Sequence, residues 1–202
     1  MGFRATGSGG HTGSGPEPLA YRTLTADQLV SVHGLAGVVY YPQPPRSLFD
    51  TATANFLSSV GLPGNRLFAA RADVGVEEDD VDPVELGPLF DLDGLEYPAE
   101  RRHWYTLGYL RTTLVVLDPV TGAVHGYIEG DDDSIVLHRD VESFAFCLTE
   151  LRRLQDAGER GEDGAEVAAR FRDTVNGFDA LPLDCEESEW SVMLDEFASG
   201  MW

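Results

Sequence analysis

The sequence predicts a mixed helix-and-strand domain, and three observations predict it. First, residues 105–137 hold four short apolar runs with strand character, two of them joined by a well-formed turn at Asp118-Pro119-Val120-Thr121-Gly122. Second, the next segment changes period: Val141, Phe144, Cys147, Leu148, Leu151 and Leu154 share one broad helical face. Third, helical patterns flank this block on both sides. The stretch Trp104–Leu154 therefore reads as the structural centre of the chain.

Taken in order, residues 1–20 are rich in Gly, Ser and Pro, have almost nothing to bury, and read as a disordered tail before one domain over 21–202. Leu24–Gly34 is a first helix, with Thr25 as cap and Gln28 reaching back in a capping box. Gly37–Tyr41 is a short strand stopped by Pro42. Ser47–Val60 is a second helix, started by Ser47 with Asp50 three residues on; Phe49, Phe56 and Val60 mark its apolar face. Gly61 suits the residue after that helix, and Pro63 prevents continuation. Arg66–Ala70 is strand-like. Residues 72–103 read as an acidic loop, densest at Glu77-Glu78-Asp79-Asp80, pinned locally by Leu89-Phe90 and Leu95. Strands are expected at Tyr105–Leu110, Thr112–Leu117, Ala123–Ile128 and Ile135–Leu137, then a helix over Val141–Leu154. Gly158–Gly164 is a polar break. Two helices follow, near Ala165–Val175 (Val167, Phe171, Val175) and Glu186–Ala198 (Trp190, Leu194, Phe197). No internal repeat is present.

The charge is the unusual part of the composition. Thirty-five acidic residues face fourteen basic ones, all arginine, for a net charge of −21. The absence of lysine reads as the coding bias of a GC-rich genome. The net charge opposes direct contact with nucleic acid or an anionic membrane, both polyanions. It favours steered association with a basic partner, and it also serves solubility. Two cysteines, Cys147 and Cys185, make no disulfide framework, and a reducing cytoplasm is expected. No secretory signal pattern and no apolar run long enough to cross a membrane is seen. Met1–Thr6 fits a loose myristoylation pattern that is common by chance.

No catalytic, cofactor or metal constellation stands out. Asp91–Glu96 lacks the third ligand position and the terminal bidentate Glu of a calcium loop. Asp131-Asp132-Asp133 reads as a solvated link between strands. None of His11, His33, His103, His125 and His138 pairs with another His or Cys at ligand spacing. His125 is placed on the polar face of its strand, and His138 beside the start of the following helix. No nucleophile elbow, P-loop or dinucleotide-binding glycine pattern occurs, and nothing singles out a Ser/His/Asp triad. One residue is out of pattern: Phe146 falls on the polar side of its helix, among Glu142, Glu150 and Arg153. Either the carboxy-terminal helices cover it, the favoured reading, or it belongs to a contact surface.

Four segments in order carry a resemblance: the helix end Asn55–Pro63 with its Gly-Leu-Pro stop; the strand pair around Leu117–Val124; the helix holding Ser143-Phe144, Leu148, Leu151 and Leu154; and a late aromatic helix with Trp190. Together they resemble the SUKH superfamily, with its Smi1/Knr4-like fold, and most closely its SUKH-4 branch of bacterial immunity proteins. His138-Arg139 stand where members often have Asn or Ser, leaving Asp140 as the helix cap. The resemblance implies an α+β fold: a twisted, mostly antiparallel sheet of about five to six strands backed by helices, here with two extra C-terminal helices. It implies a non-enzymatic, cofactor-free protein that binds and neutralises a cognate polymorphic toxin, of nuclease or nucleic-acid deaminase type, in the cytoplasm of the producing bacterium. The expected partner is a basic protein toxin, with neither nucleic acid nor membrane bound directly. The residues expected to meet it are Glu77, Glu78, Asp79, Asp80, Asp131, Asp132, Asp133 and Phe146. A regulatory interaction scaffold of the Smi1/Knr4 type is the second reading, and an enzyme with an unseen site the third.

Overall fold

The computed structural model describes residues 24–41, 50–70, 85–94, 98–127 and 133–202. The expected tail over 1–20 lies outside them, as do Ser47, Phe49, Glu77–Asp80, Asp131 and Asp132.

The molecule is an α+β fold built on a five-stranded antiparallel sheet in the order β3-β4-β5-β6-β7, with a separate two-stranded pair β1-β2. The strands are β1 (Val38–Val39), β2 (Leu62–Pro63), β3 (Phe68–Ala70), β4 (Tyr105–Leu110), β5 (Thr113–Leu117), β6 (Val124–Tyr127) and β7 (Ser134–His138). The helices are α1 (Ala26–His33), α2 (Thr51–Ser59), α3 (Leu86–Asp93), α4 (Val141–Glu159), α5 (Gly164–Phe178) and α6 (Glu189–Ala198).

β5 is the axis of the sheet, and every one of its residues is buried. Its side chains alternate between two cores, as the two-residue period of a strand requires. Val115 and Leu117 join Leu107, Leu110, Val124 and Leu137 against the helical layer of α1, α2 and α4–α6. Leu114 and Val116 join Tyr127 against Leu86, Leu89 and Phe90 of α3 on the opposite face. A strand covered on both sides has no polar face, which is why this segment reads as a continuous apolar run.

The turns follow local chemistry. Asp118 holds the β5–β6 turn by accepting from the Val120 N–H at 2.8 Å and the Thr121 hydroxyl at 2.7 Å, while Gly122 supplies the left-handed residue at φ 77°. The β4–β5 hairpin closes on Arg111-Thr112, with Arg111 at φ 54°. The Arg111 guanidinium then bridges to Glu189 and Glu196, tying the hairpin tip to α6.

Helix starts are capped as the residue types dictate. Thr25 and Gln28 form the expected box on α1. α2 starts at Thr51: its cap is Asp50, which accepts from the Ala52 and Thr53 N–H groups and the Thr53 hydroxyl. The expected start at Ser47 is thus corrected, because Asp50 itself satisfies the first-turn donors. Asp140 caps α4 and Ser188 caps α6. Residues 86–93, expected as loop, form α3; Pro88 sits in the first turn, where its missing N–H costs nothing. α4 runs to Glu159 and takes in Gly158, the start of the expected polar break.

Candidate partner-binding surface

His138, Ser143 and Asp179, with Trp190, form one chain inside the helical layer. The Trp190 indole N–H donates to His138 Nε2 at 2.9 Å, and His138 Nδ1 lies 2.9 Å from Ser143 Oγ. The Ser143 hydroxyl donates to Asp179 Oδ2 at 2.5 Å. Indole can only donate, so Nε2 is the acceptor and the ring proton is on Nδ1, donating to Ser143. Burial holds the imidazole neutral by lowering its pKa to about 3, against a smaller opposing pull from Asp179. A hydrolytic triad needs the histidine to take the serine proton. Here the histidine donates to the serine, the serine proton is given to the carboxylate, and Ser143 is 1% exposed. The three residue types of a triad thus form a structural staple joining β7, α4, the start of the link after α5, and α6.

The other histidines are separate. Burial, then Arg152, lowers the pKa of half-buried His33 to about 4. His125 is half-buried beside Trp104, ring centroids 4.3 Å apart, and its Nδ1 is buried without a partner. Desolvation lowers its pKa. Its expected place on a polar face is corrected: α3 and Trp104 build a second core on that side of the sheet. His103 is exposed and 3.1 Å from Glu85. Among the described residues, no group of three His, Cys, Asp or Glu side chains is placed to hold a metal ion. Among them too, no helix is long and apolar enough to cross a membrane.

A groove of about 840 Å³ lies between α1, the β2–β3 link, α4 and the end of α6, with His33, Asn65, Arg66, Arg152, Phe197 and Trp202 on its walls. Asn65 Oδ1 accepts from the N–H groups of Leu67 and Phe68, and its Nδ2 is buried without an acceptor. Arg152 is paired with Asp156. The groove offers donors, the carboxylates Glu159 and Glu162, and an aromatic wall; its one imidazole, His33, is neutral at ordinary pH.

Of the residues expected to meet a partner, Asp133 is exposed immediately before β7. Phe146 is half-buried and stacks on Phe178 at the end of α5, with centroids 4.3 Å apart and planes 16° from parallel. Arg139 lies over the other ring of that stack, 4.9 Å from the Phe178 centroid. Asp133 stands just before β7 and Phe146 lies on α4. Sequence reasoning missed the apolar exposure on β7: Ile135 and Val136 are 43% and 48% exposed. The signal was present as two β-branched residues, Ile135 and Val136, one serine beyond an acidic link.

Fold and charge define the class: an acidic α+β domain whose antiparallel sheet is backed by a helical layer. The family model described as SUKH-4 immunity protein matches residues 24–196, so the chain belongs to the SUKH-4 immunity protein family. No curated protein and no solved structure matches it. Members of this family are in general binding proteins without enzymatic activity, and the family implies a toxin as partner.

Proposed function

We propose that this chain neutralises a cognate toxin of the nuclease or nucleic-acid deaminase type by stoichiometric binding in the cytoplasm of the bacterium that makes both. The observation that carries the reading is the family match over residues 24–196 in a chain of net charge −21. An enzyme that acts on nucleic acid presents a basic cleft, and an acidic inhibitor can occupy it with fast, steered association. Asp133 and the acidic runs Glu77–Asp80 and Asp131–Asp132 supply that charge, with Phe146 as an apolar contact.

Co-expression with the toxin encoded beside this chain's gene tests the reading. Protection of the host together with a co-purified complex of fixed stoichiometry is expected. Protection without a complex would sink it. Neutralising Glu77–Asp80 and Asp131–Asp133 to their amides should slow association and flatten its dependence on salt; unchanged kinetics would remove these runs from the contact.

A further inference from the structure

We propose that the toxin docks by adding a basic strand to the outer edge of β7 over Ser134–Val136. This rests on the immunity reading above and names its contact surface.

The two ends of the sheet are not alike. At the β3 end, Phe68 is satisfied locally: its N–H donates to Asn65 Oδ1 and its carbonyl accepts from the Asn65 N–H, 2.8 and 3.0 Å. At the other end, β7 is the terminal strand, and among the described residues no strand lies beyond it. Its far end is closed. His138 is buried under Trp190, and the Arg139 N–H points to Asp179 Oδ2 at 3.4 Å. A register irregularity opposite Val124 and His125 lets Leu137 and His138 both be buried. What remains is a short window, Ser134-Ile135-Val136, with two β-branched side chains exposed.

An exposed edge of this composition is a template for another strand, and monomeric proteins usually blunt it with Lys or Pro. The strand Ser134–His138 contains no Pro and no Arg, the basic residue this lysine-free chain uses throughout. The charge around the window selects its occupant. Asp133 precedes it directly. The 3-10 turn Leu181–Leu183 packs against β7 and runs into the exposed acidic residues Asp184, Glu186 and Glu187. Arg139, just past the strand, is engaged with Asp140 and the Phe178 carbonyl, and Arg101 donates to the hydroxyl of Tyr127, which pairs with Ser134. A second copy would bring another net charge of −21 to this edge; a basic strand is attracted to it.

The test uses the full chain and a catalytically inactive form of the toxin domain encoded beside its gene. The double variant Ile135→Lys/Val136→Lys should keep the wild-type circular dichroism spectrum and melting temperature, and lose about 100-fold or more in affinity. The control Val120→Lys/Val192→Lys, at other exposed positions, should bind as wild type. Hydrogen exchange of the Ser134–Val136 amides should slow in the complex. Unchanged affinity of the edge variant, equal loss in the control, or no new amide protection would overturn the edge as the contact while leaving the immunity reading standing. A wild-type homodimer dissolved by the double variant would assign the edge to a second copy and overturn the proposal. Failure of the wild type to bind the toxin at all would overturn both.

Discussion

The Trp190 indole N–H donates to His138 Nε2 across 2.9 Å of buried interior, joining the last helix to the last strand. The rings meet nearly edge to face, at 84°. Trp190 also stacks on Phe171 of α5, so this one side chain ties α5, α6 and β7 together. Trp190→Phe keeps most of the ring and removes only the donor. It leaves Nε2 buried without a partner, which should cost about 1–3 kcal/mol. Urea unfolding at pH 7.5 measures it; an unchanged midpoint would show that the bond adds nothing net.

The same histidine sets a pH dependence. The folded state holds the His138 pKa at about 3 because the ring is fully buried, against 6.5 as the ordinary value. Above pH 6.5 both states carry a neutral ring, and stability is unaffected. As pH falls from 6.5 towards 3, the unfolded chain takes up a proton that the folded one excludes. Stability should therefore fall by up to about 1.4 kcal/mol per pH unit from this group alone. Urea midpoints between pH 7.5 and pH 4.5 measure the slope, and His138→Gln should be less stable at pH 7.5 but show a shallower slope. An equal slope in the variant would place the acid sensitivity elsewhere.

What was legible in the sequence was set by local chemistry. The Thr25–Gln28 box, the Asp118–Gly122 turn, Gly61 after α2 and the buried face of α4 all follow from neighbours in the chain, and all are present. The misreadings came from contacts between distant residues. Gly158 looks like a helix stop, yet it lies within α4, and its missing Cβ leaves room for the ring of Phe197 of α6, which comes within 3.0 Å of where that Cβ would be. Gly87-Pro88 looks like a loop, but Leu86, Leu89 and Phe90 recur at helical spacing and bury against the far face of the sheet. His138 does stand beside the start of α4, bonded to Ser143 in its first turn, but its second partner is a tryptophan 52 residues later that no local pattern announces. The order of the strands was the least legible part, since no local pattern says that β7 lies at one edge of the sheet and β3 at the other.

Gly108 gives a sharper test of the sheet. It sits at φ 146° where the β4–β5 register shifts, and a Cβ there would lie 2.1 Å from the Ala69 carbonyl oxygen of β3. Backbone cannot yield as a side-chain end can. Gly108→Ala should separate β3 from β4 and cost about 2 kcal/mol or more, through overpacking and strain together. Gly94→Ala shares a positive φ but meets open space, so it should cost less. Melting temperatures of the two variants give the comparison, and an equal or reversed order would contradict the close approach of β3.

Phe146 has an internal task that can be measured apart from any toxin. Its ring stacks on Phe178, fastening the outer side of α4 to the end of α5, and Arg139 covers the second ring. A double-mutant cycle with Phe146→Leu and Phe178→Leu keeps both sites apolar while removing the stacked pair. The coupling should be about 0.5–1.5 kcal/mol, the range for aromatic pairs beyond their buried area. Chemical unfolding of the four proteins measures it. Additive losses would mean that the two rings only share a neighbourhood, and would leave toxin contact as the remaining account of an aromatic on this polar helix face.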